Sequence, residues 1–120
     1  TKEHVEHYFT KDRPVVFAYH GYTNDVEQIL WPYVHSERFT LHGYREAGST
    51  TTPFDMKVSN HLSCYNLAID MIEKASLRNK KVAKKRSTLL RVLYKILSDH
   101  QKYIVQNGDD PKEIYEMKFL

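Results

Sequence analysis

Two short apolar runs stand near the start of the chain, and each is joined to the letters HGY. The first run, PVVFAYH at residues 14 to 20, is apolar on both faces, which is typical of a buried strand in a parallel sheet. The second run, RFTLHGY, covers residues 38 to 44. About eighteen residues lie between them, which is enough for the crossover that parallel pairing requires. The pattern predicts a βαβ unit with a right-handed crossover.

Apolar residues at helical spacing mark the segments on either side of the first strand. A short amphipathic helix is predicted before Pro14, and its apolar residues are Val5, Tyr8 and Phe9. The crossover is predicted to be a second helix with Thr23 or Asn24 as its N-cap. One face of this helix is apolar and consists of Val26, Ile29, Leu30 and Tyr33.

Two long helical patterns follow the second strand. The first is one continuous apolar stripe at spacings of three and four, formed by Phe54, Val58, Leu62, Tyr65, Ile69 and Ile72. The second has a similar rhythm, carried by Val82, Leu89, Leu93, Ile96, His100, Tyr103 and Ile104. Gly108 suits the left-handed position after that helix, and Pro111 blocks its continuation.

These elements define the predicted fold class. It is α/β, with a mostly parallel sheet flanked by helices and a βαβ unit followed by two long helices. Two strands are too few for a stable parallel sheet, because a parallel pair buried on both faces needs neighbouring strands. We therefore expect residues 1–120 to be a single partial domain of a larger α/β protein. The chain alone should expose a sheet edge and an apolar face, and it should associate with itself or be only marginally stable.

Composition narrows the class of protein. The chain has 120 residues, of which 41% are hydrophobic and 28% charged, as is ordinary for one soluble domain. No apolar run approaches the roughly 20 residues of a membrane span, so no membrane partner is expected. A net charge of +3 gives little reason to expect nucleic acid. The single cysteine, Cys64, suits the reducing cytoplasm and is predicted to be a buried thiol.

The stretch HGYREAGSTTTPFDM, residues 42 to 56, has two interpretations. As the start of a helix, Thr52 is the cap, Pro53 suits the first turn, and Asp55 answers the amide of the capping residue. As an anion site, the free amides and hydroxyls at a helix start would attract phosphate. Asp55 already places a carboxylate at the positive end of that helix. The helix start is therefore the favoured interpretation.

His20 and His42 each lie near the end of a predicted strand, and parallel pairing would bring the two HGY motifs close together. A metal site or an acid/base pair is one possibility, because imidazole serves both roles near neutral pH. The favoured interpretation is that both rings bond loop carbonyls. The alternative function is a small-anion or regulator-binding α/β module, whose candidate ligand or interface patch is His20, His42, Ser49, Thr50, Thr51 and Thr52.

A basic run between the two long patterns suggests a third function, polyanion binding. It consists of Arg78, Lys80, Lys81, Lys84, Lys85 and Arg86. The run lacks interleaved aromatic residues, so a solvated helix start or inter-helix loop is favoured. The chain contains no P-loop, GxGxxG or GxSxG motif, and the sequence offers no catalytic, cofactor or metal residues to name.

Three phrases, FTKDRPVVFAYHGY, LHGYREAGSTTTPFDM and YIVQNGDDPKEI, carry a resemblance that covers about Phe9 to Ile114. In this order they resemble the C-terminal region of phosphoketolases, where phrases such as GYKEEGTTTTPFDM occur near the end of a much longer chain. One departure is clear. Many members continue HGY with PWLIHRL, whereas this chain has TNDVEQIL, so no function is carried over to the crossover helix.

The resemblance implies a transketolase-like C-terminal domain in an enzyme that uses thiamine diphosphate and Mg²⁺. Such enzymes convert xylulose 5-phosphate and phosphate to acetyl phosphate and glyceraldehyde 3-phosphate. Their cofactor is held far upstream, so none is expected to bind this fragment, and the isolated fragment is expected to be inactive. The implied partners are the remaining domains of the same enzyme and a second subunit in a homodimer or higher homo-oligomer. The implied role of this segment is structural, and the implied location of the enzyme is the cytoplasm.

Overall fold

Two parallel strands, β1 (Val15–Tyr22) and β2 (Phe39–Tyr44), form the sheet, as the two apolar runs predict. The computed structural model of the chain describes residues 1–45 and 50–116. Within these ranges the helices are α1 (Lys2–Phe9), α2 (Thr23–Leu30), α3 (Pro53–Ser59), α4 (Cys64–Ser76), α5 (Lys80–Asn107) and α6 (Lys112–Tyr115). The predicted α/β class is confirmed, with a βαβ unit followed by long helices.

The core of the βαβ unit lies between α2 and the sheet. Its buried residues are Val26, Leu30, Phe39 and Leu41, and half-buried apolar side chains pack around them: Phe9, Val15, Phe17, Trp31 and Val34. The strands are in register from Val15, opposite Phe39, to Ala18, opposite His42. An irregularity then interrupts the pairing, and β1 extends beyond its predicted end at His20 to Tyr22.

Helix α2 begins without a polar cap, so the prediction of Thr23 or Asn24 as N-cap is wrong. Tyr22 occupies the cap position in extended conformation, and its side chain makes no capping hydrogen bond. Thr23 is already the first helical residue and is 6% exposed. The strand continues directly into the helix, so no loop residue remains to serve as a cap.

The predicted continuous helix over residues 54 to 72 is also wrong, because the structure divides it into α3 and α4. Asn60 ends α3, accepting a hydrogen bond from the Arg45 amide at 2.8 Å and donating one to the Met56 carbonyl at 2.9 Å. His61 follows with a positive φ of 56°. Ser63, only 1% exposed, caps α4 by accepting from the Asn66 amide at 3.2 Å. Apolar spacing continues across this break and conceals it.

Helix α5 packs against α4 and includes most of the basic run, which is therefore a helix start. Asn79 is its N-cap and accepts from the amides of Lys81 and Val82. Gly108 ends the helix with φ 69°, and its amide donates to the Ile104 carbonyl at 2.8 Å, which confirms the left-handed end. None of the described helices is both long and apolar enough to cross a membrane.

Arg38 fastens α1 and the following loop to the start of β2. Its guanidinium donates to the carbonyls of Phe9, Thr10 and Arg13 at 2.7 to 2.9 Å. It also lies 4.7 Å from the centroid of the Phe39 ring. A single cation thus satisfies carbonyls at the end of α1 that the helix itself leaves unpaired.

The chain exposes much surface for its size. Its accessible area is 8911 Å², about 2,000 Å² more than the roughly 6,800 Å² expected of a monomer of 14.2 kDa. Large apolar side chains of the sheet and of the helices contribute to this exposed area. Among them are Tyr19 and Tyr22 on β1 and Leu89, Val92 and Tyr103 on α5. Self-association of the isolated chain stays a prediction.

The close approach of β2 to the β1–α2 junction gives a test of the fold. A Cβ added at Gly43 would lie 2.6 Å from the Gly21 carbonyl oxygen and 2.9 Å from Thr23 Cγ2. We expect Gly43→Ala to lower the free energy of unfolding by about 1–3 kcal/mol in urea titrations, because backbone must move.

Gly21→Ala is the matched control. The atoms nearest to its added Cβ belong to the ring of Tyr19, which is 42% exposed and can rotate away. This change should cost less than about 1 kcal/mol. Equal losses in the two variants would contradict the close backbone approach at Gly43.

Candidate functional site

The carboxylate of Asp110 is the most extensively hydrogen-bonded acid in the described part of the chain. It is 5% exposed and accepts three hydrogen bonds. The Thr52 hydroxyl donates to Oδ1 at 2.6 Å, His100 Nε2–H donates to the same oxygen at 2.8 Å, and the Phe54 amide donates to Oδ2 at 3.2 Å. One side chain therefore joins the start of α3, the last third of α5 and the turn after α5.

Local sequence explains how Asp110 reaches this position. Gly108 reverses the chain after α5, and the Asp109 side chain accepts from the Asp110 amide at 2.8 Å. At the other end, Thr52 is the N-cap of α3, as predicted, and accepts from the Asp55 amide at 3.2 Å. Its hydroxyl proton is thereby left for Asp110.

The predicted role of Asp55 is wrong in detail. Its carboxylate was expected to answer the amide of the capping residue, Thr52. It accepts instead from the Thr51 hydroxyl at 2.6 Å, and it is 9% exposed. A hydroxyl one residue before the cap offers a side-chain donor that the capping-box pattern does not anticipate.

Two opposing effects set the pKa of Asp110. Burial raises the pKa, whereas the hydrogen bonds from Thr52, His100 and the Phe54 amide lower it, and the result lies below the ordinary aspartate value. Asp110 is therefore ionised at neutral pH and supplies the negative charge that a helix start favours. An outside phosphate at this point would meet a carboxylate already in place.

A second polar cluster joins the sheet to α4. His42, on β2, is 9% exposed, and its Nε2 lies 2.9 Å from Asp70 Oδ2. Lys74 pairs with the other oxygen of Asp70. Burial raises the pKa of Asp70, but the hydrogen bonds from His42 and Lys74 outweigh it, and the pKa is lowered. The carboxylate is thus shared between two donors.

His20 has a different environment from His42. Its Nε2 lies 3.3 Å from the Tyr44 hydroxyl, and the two rings stack edge to face at 5.2 Å. The HGY motifs do meet, therefore, but through His20 and Tyr44 rather than through two histidines. The prediction that both rings bond loop carbonyls is wrong, because both bond side chains.

The members of the predicted ligand patch fall into two groups. His20 and His42 lie on the sheet, whereas Thr51 and Thr52 are bonded to acids at the start of α3. Thr50 is exposed and lines an open cleft of about 620 Å³ with Asp55, Gln101 and Asp109. Ser49 lies outside the described residues. A ligand on this patch stays a prediction.

Other candidate chemistry is limited within residues 1–45 and 50–116. No group of three or more histidine, cysteine, aspartate or glutamate side chains there could hold a metal ion. Cys64 is half-buried, and this burial raises the pKa of its thiol, which disfavours the reactive thiolate. No catalytic constellation emerges from these contacts.

Sequence reasoning missed the three residues that matter most to these clusters, Asp70, His100 and Asp110. His100 was placed in the apolar stripe of α5, where it is indeed 4% exposed. A histidine in such a stripe needs a buried partner, and NGDDP, ten residues later, contains the nearest acids that follow. That spacing is the signal that could have identified the pair.

A family model and several known proteins match most of this chain. Residues 1–119 match the family model described as XFP C-terminal domain. The chain belongs to that family. Its relatives include probable phosphoketolases of Schizosaccharomyces pombe, 43% identical over 89% of the chain, and of Pseudomonas putida, 34% identical over 92%. A probable phosphoketolase 2 of Rhizobium meliloti is 38% identical over 93%. The resemblance to phosphoketolases is confirmed.

The curated relatives are much longer than this chain. The chain spans about 14% of the length of the curated relatives that it matches. Within residues 1–45 and 50–116, acids, histidines and cysteines form no group of three or more that could hold a metal ion. Their buried acids and histidines bond one another instead.

Replacing Asp110 tests the first cluster. In Asp110→Asn, an amide NH₂ would face either the Phe54 amide or the donors on Oδ1, so one donor would oppose another. We expect the free energy of unfolding to fall by about 2–4 kcal/mol in urea denaturation. Asp99→Asn is the control, because Asp99 is an exposed acid that pairs with Lys95. A loss no larger than that of the control would contradict the role of Asp110.

The lowered pKa values of Asp110 and Asp70 predict how stability depends on pH. A carboxyl whose pKa is depressed by folding contributes stability that is present above its unfolded pKa of about 4 and is lost as pH falls through its folded pKa. Free energies of unfolding measured from pH 7 to pH 2 should therefore decline below about pH 4. Asp110→Asn should make the free energy of unfolding fall less steeply below pH 4. A slope equal to that of the wild type would contradict the contribution of Asp110.

Proposed function

We propose that this chain is the C-terminal domain segment of a thiamine-diphosphate-dependent phosphoketolase and that it contributes structure and subunit assembly rather than chemistry. The observation that carries the proposal is the match of residues 1–119 to the XFP C-terminal domain. In the proposed reaction, xylulose 5-phosphate and phosphate give acetyl phosphate and glyceraldehyde 3-phosphate. The rest of the polypeptide would hold the thiamine diphosphate and Mg²⁺. Phosphorylated sugars as substrates agree with a cytoplasmic location.

The environment of the polar residues supports a structural role. Within residues 1–45 and 50–116, Asp110 and Asp70 are the partly or fully buried acids with lowered pKa values, and each accepts from donors of this chain. A catalytic acid or base needs an open route to substrate, whereas these groups connect helices and strands to one another. The same contacts disfavour the small-anion module, because Asp110 already occupies the start of α3.

The exposed surface supports a role in assembly. An excess of about 2,000 Å² over the area of a compact monomer is comparable to one partner's share of a large obligate interface. Apolar residues of α5 and the outer side of β1 contribute to it. The proposed occupants are the remaining domains of the same polypeptide and a second subunit, in a homodimer or higher homo-oligomer.

The test measures acetyl phosphate formation by the full-length protein with thiamine diphosphate and Mg²⁺ present. We expect the wild type to be active. Asp110→Asn should lower the melting temperature and the fraction of assembled enzyme, while kcat per folded dimer and KM for xylulose 5-phosphate stay unchanged. The exposed-acid control Asp99→Asn should match the wild type throughout.

Two results would overturn the proposal. A full-length wild type that forms no acetyl phosphate would refute the assignment of activity. A normal melting temperature with a reduced kcat in Asp110→Asn would refute the structural role, because the residue would then act on the chemistry.

A further inference from the structure

Positive charge is concentrated in one stretch of the chain. The whole chain has 18 lysines and arginines against 15 acids. Residues 74 to 98 contain no aspartate or glutamate and nine of the cations, which are Lys74, Arg78, Lys80, Lys81, Lys84, Lys85, Arg86, Arg91 and Lys95. This stretch runs from the last turn of α4 through about two-thirds of α5. Acids outside the stretch pair with Lys74, Arg78, Arg86 and Lys95, and the other five cations have no ion pair in the described ranges.

A cleft of about 460 Å³ lies at the beginning of this stretch, between the start of β1 and the junction of α4 with α5. Its walls are partly apolar, formed by Pro14, Val16, Met71 and Ala75. Three cations from three separate segments also line it: Arg13, Lys74 and Arg78. A volume of this size suits a small molecule rather than a single ion.

The positive charge of the cleft is poorly compensated by this chain. No acid lines the cleft. Asp70, which pairs with Lys74, is already shared with His42. Arg78 approaches Asp12 only to 3.9 Å, and the Asp12 side chain is 75% exposed. Arg13 makes no ion pair with any residue in the described ranges.

Two lysines at the start of α5 add to the excess of positive charge near the cleft. Lys80 and Lys81 open the helix directly after Asn79, which lines the cleft, and the first turn contains no acid. Cations are unfavourable at the positive end of a helix macrodipole. The last turn of α4 accounts for Lys74, since cations are favourable there, but not for these two lysines. A bound anion would relieve the repulsion.

We propose that the cleft lined by Arg13, Lys74 and Arg78 binds a small anion that carries at least two phosphate groups. The two arginines and Lys74 offer donors from three segments, and an arginine can donate two parallel hydrogen bonds to one phosphate. The apolar walls leave room for a carbon skeleton between the phosphates. No aromatic side chain lines the cleft, which disfavours single-stranded nucleic acid, because its bases need rings to stack on.

Isothermal titration calorimetry on the full-length protein tests this site independently of any activity. The probes are inorganic pyrophosphate and fructose 1,6-bisphosphate, which separate a free anion from a phosphorylated carbon skeleton. With thiamine diphosphate, Mg²⁺ and phosphate present to fill the proposed active site, we expect saturable binding of one further equivalent per chain for at least one probe. Arg13→Gln and Arg13→Gln/Arg78→Gln should each weaken it, the double variant by at least about tenfold.

Arg91→Gln is the matched control, because Arg91 is an exposed cation of the same basic stretch that does not line the cleft. It should bind like the wild type. Because Arg78 also donates to the Asp12 carbonyl at 2.8 Å, circular dichroism checks that the double variant is folded. If it is not, Arg13→Gln carries the test alone, since the Arg13 side chain makes no described hydrogen bond.

Three results would overturn the proposal. The first is the absence of heat with both probes at millimolar concentration. The second is equal weakening by Arg91→Gln, which would indicate general charge attraction instead of a site. The third is binding of a 20-nucleotide RNA, with an affinity that falls steeply with salt, while both phosphate probes fail to bind.

Discussion

The ionised carboxylate of Asp110 is the constraint on which the helical half of this structure depends. A two-stranded sheet buries little, and its core reaches only α1, α2 and their neighbours. Beyond the sheet, α5 packs against α4, but long stretches of α5 are exposed, so this packing covers only part of the helix. Asp110 compensates by accepting hydrogen bonds from Thr52, Phe54 and His100, which lie on two different helices or their ends. Its burial makes these bonds strong, because few water molecules compete for them.

The same arrangement recurs at two other points of the fold. Asp70 joins the sheet to α4 through His42, and Arg38 joins α1 to β2 through three carbonyls. In each case one charged side chain bonds at least two groups within the chain. Open α/β sheets commonly bind ligands at the ends of their strands and in the loops that follow. In this chain, polar side chains of the strand ends and of Thr51 and Thr52 bond other side chains of the chain. Poorly compensated positive charge is found at the opposite end of β1, around Arg13 and Arg78.

The strands and the end of α5 could be predicted because they depend on local rules. Apolar runs flanked by Pro14 and glycine identify the parallel pair, and Gly108 supplies the left-handed residue that ends the long helix. The break between α3 and α4 could not be predicted, because Asn60 and Ser63 fix it through caps that interrupt no apolar spacing. Apart from the His100–Asp110 pair, the partners of the candidate site residues were also beyond sequence reasoning. They are distant in the chain, and the pairing of His42 with a residue on α4 depends on how that helix packs on the sheet.

The central claim is that Asp110 fills the start of α3 and closes it to outside anions. The most direct measurement follows the amide resonances of Phe54 and Asp55 by NMR while phosphate is added to the wild-type protein at neutral pH. Neither resonance should move along a saturable curve, because the Phe54 amide already donates to Asp110 and the Asp55 amide to Thr52. A saturable shift of either amide at millimolar phosphate would contradict this role of Asp110 and would make the start of α3 an anion site.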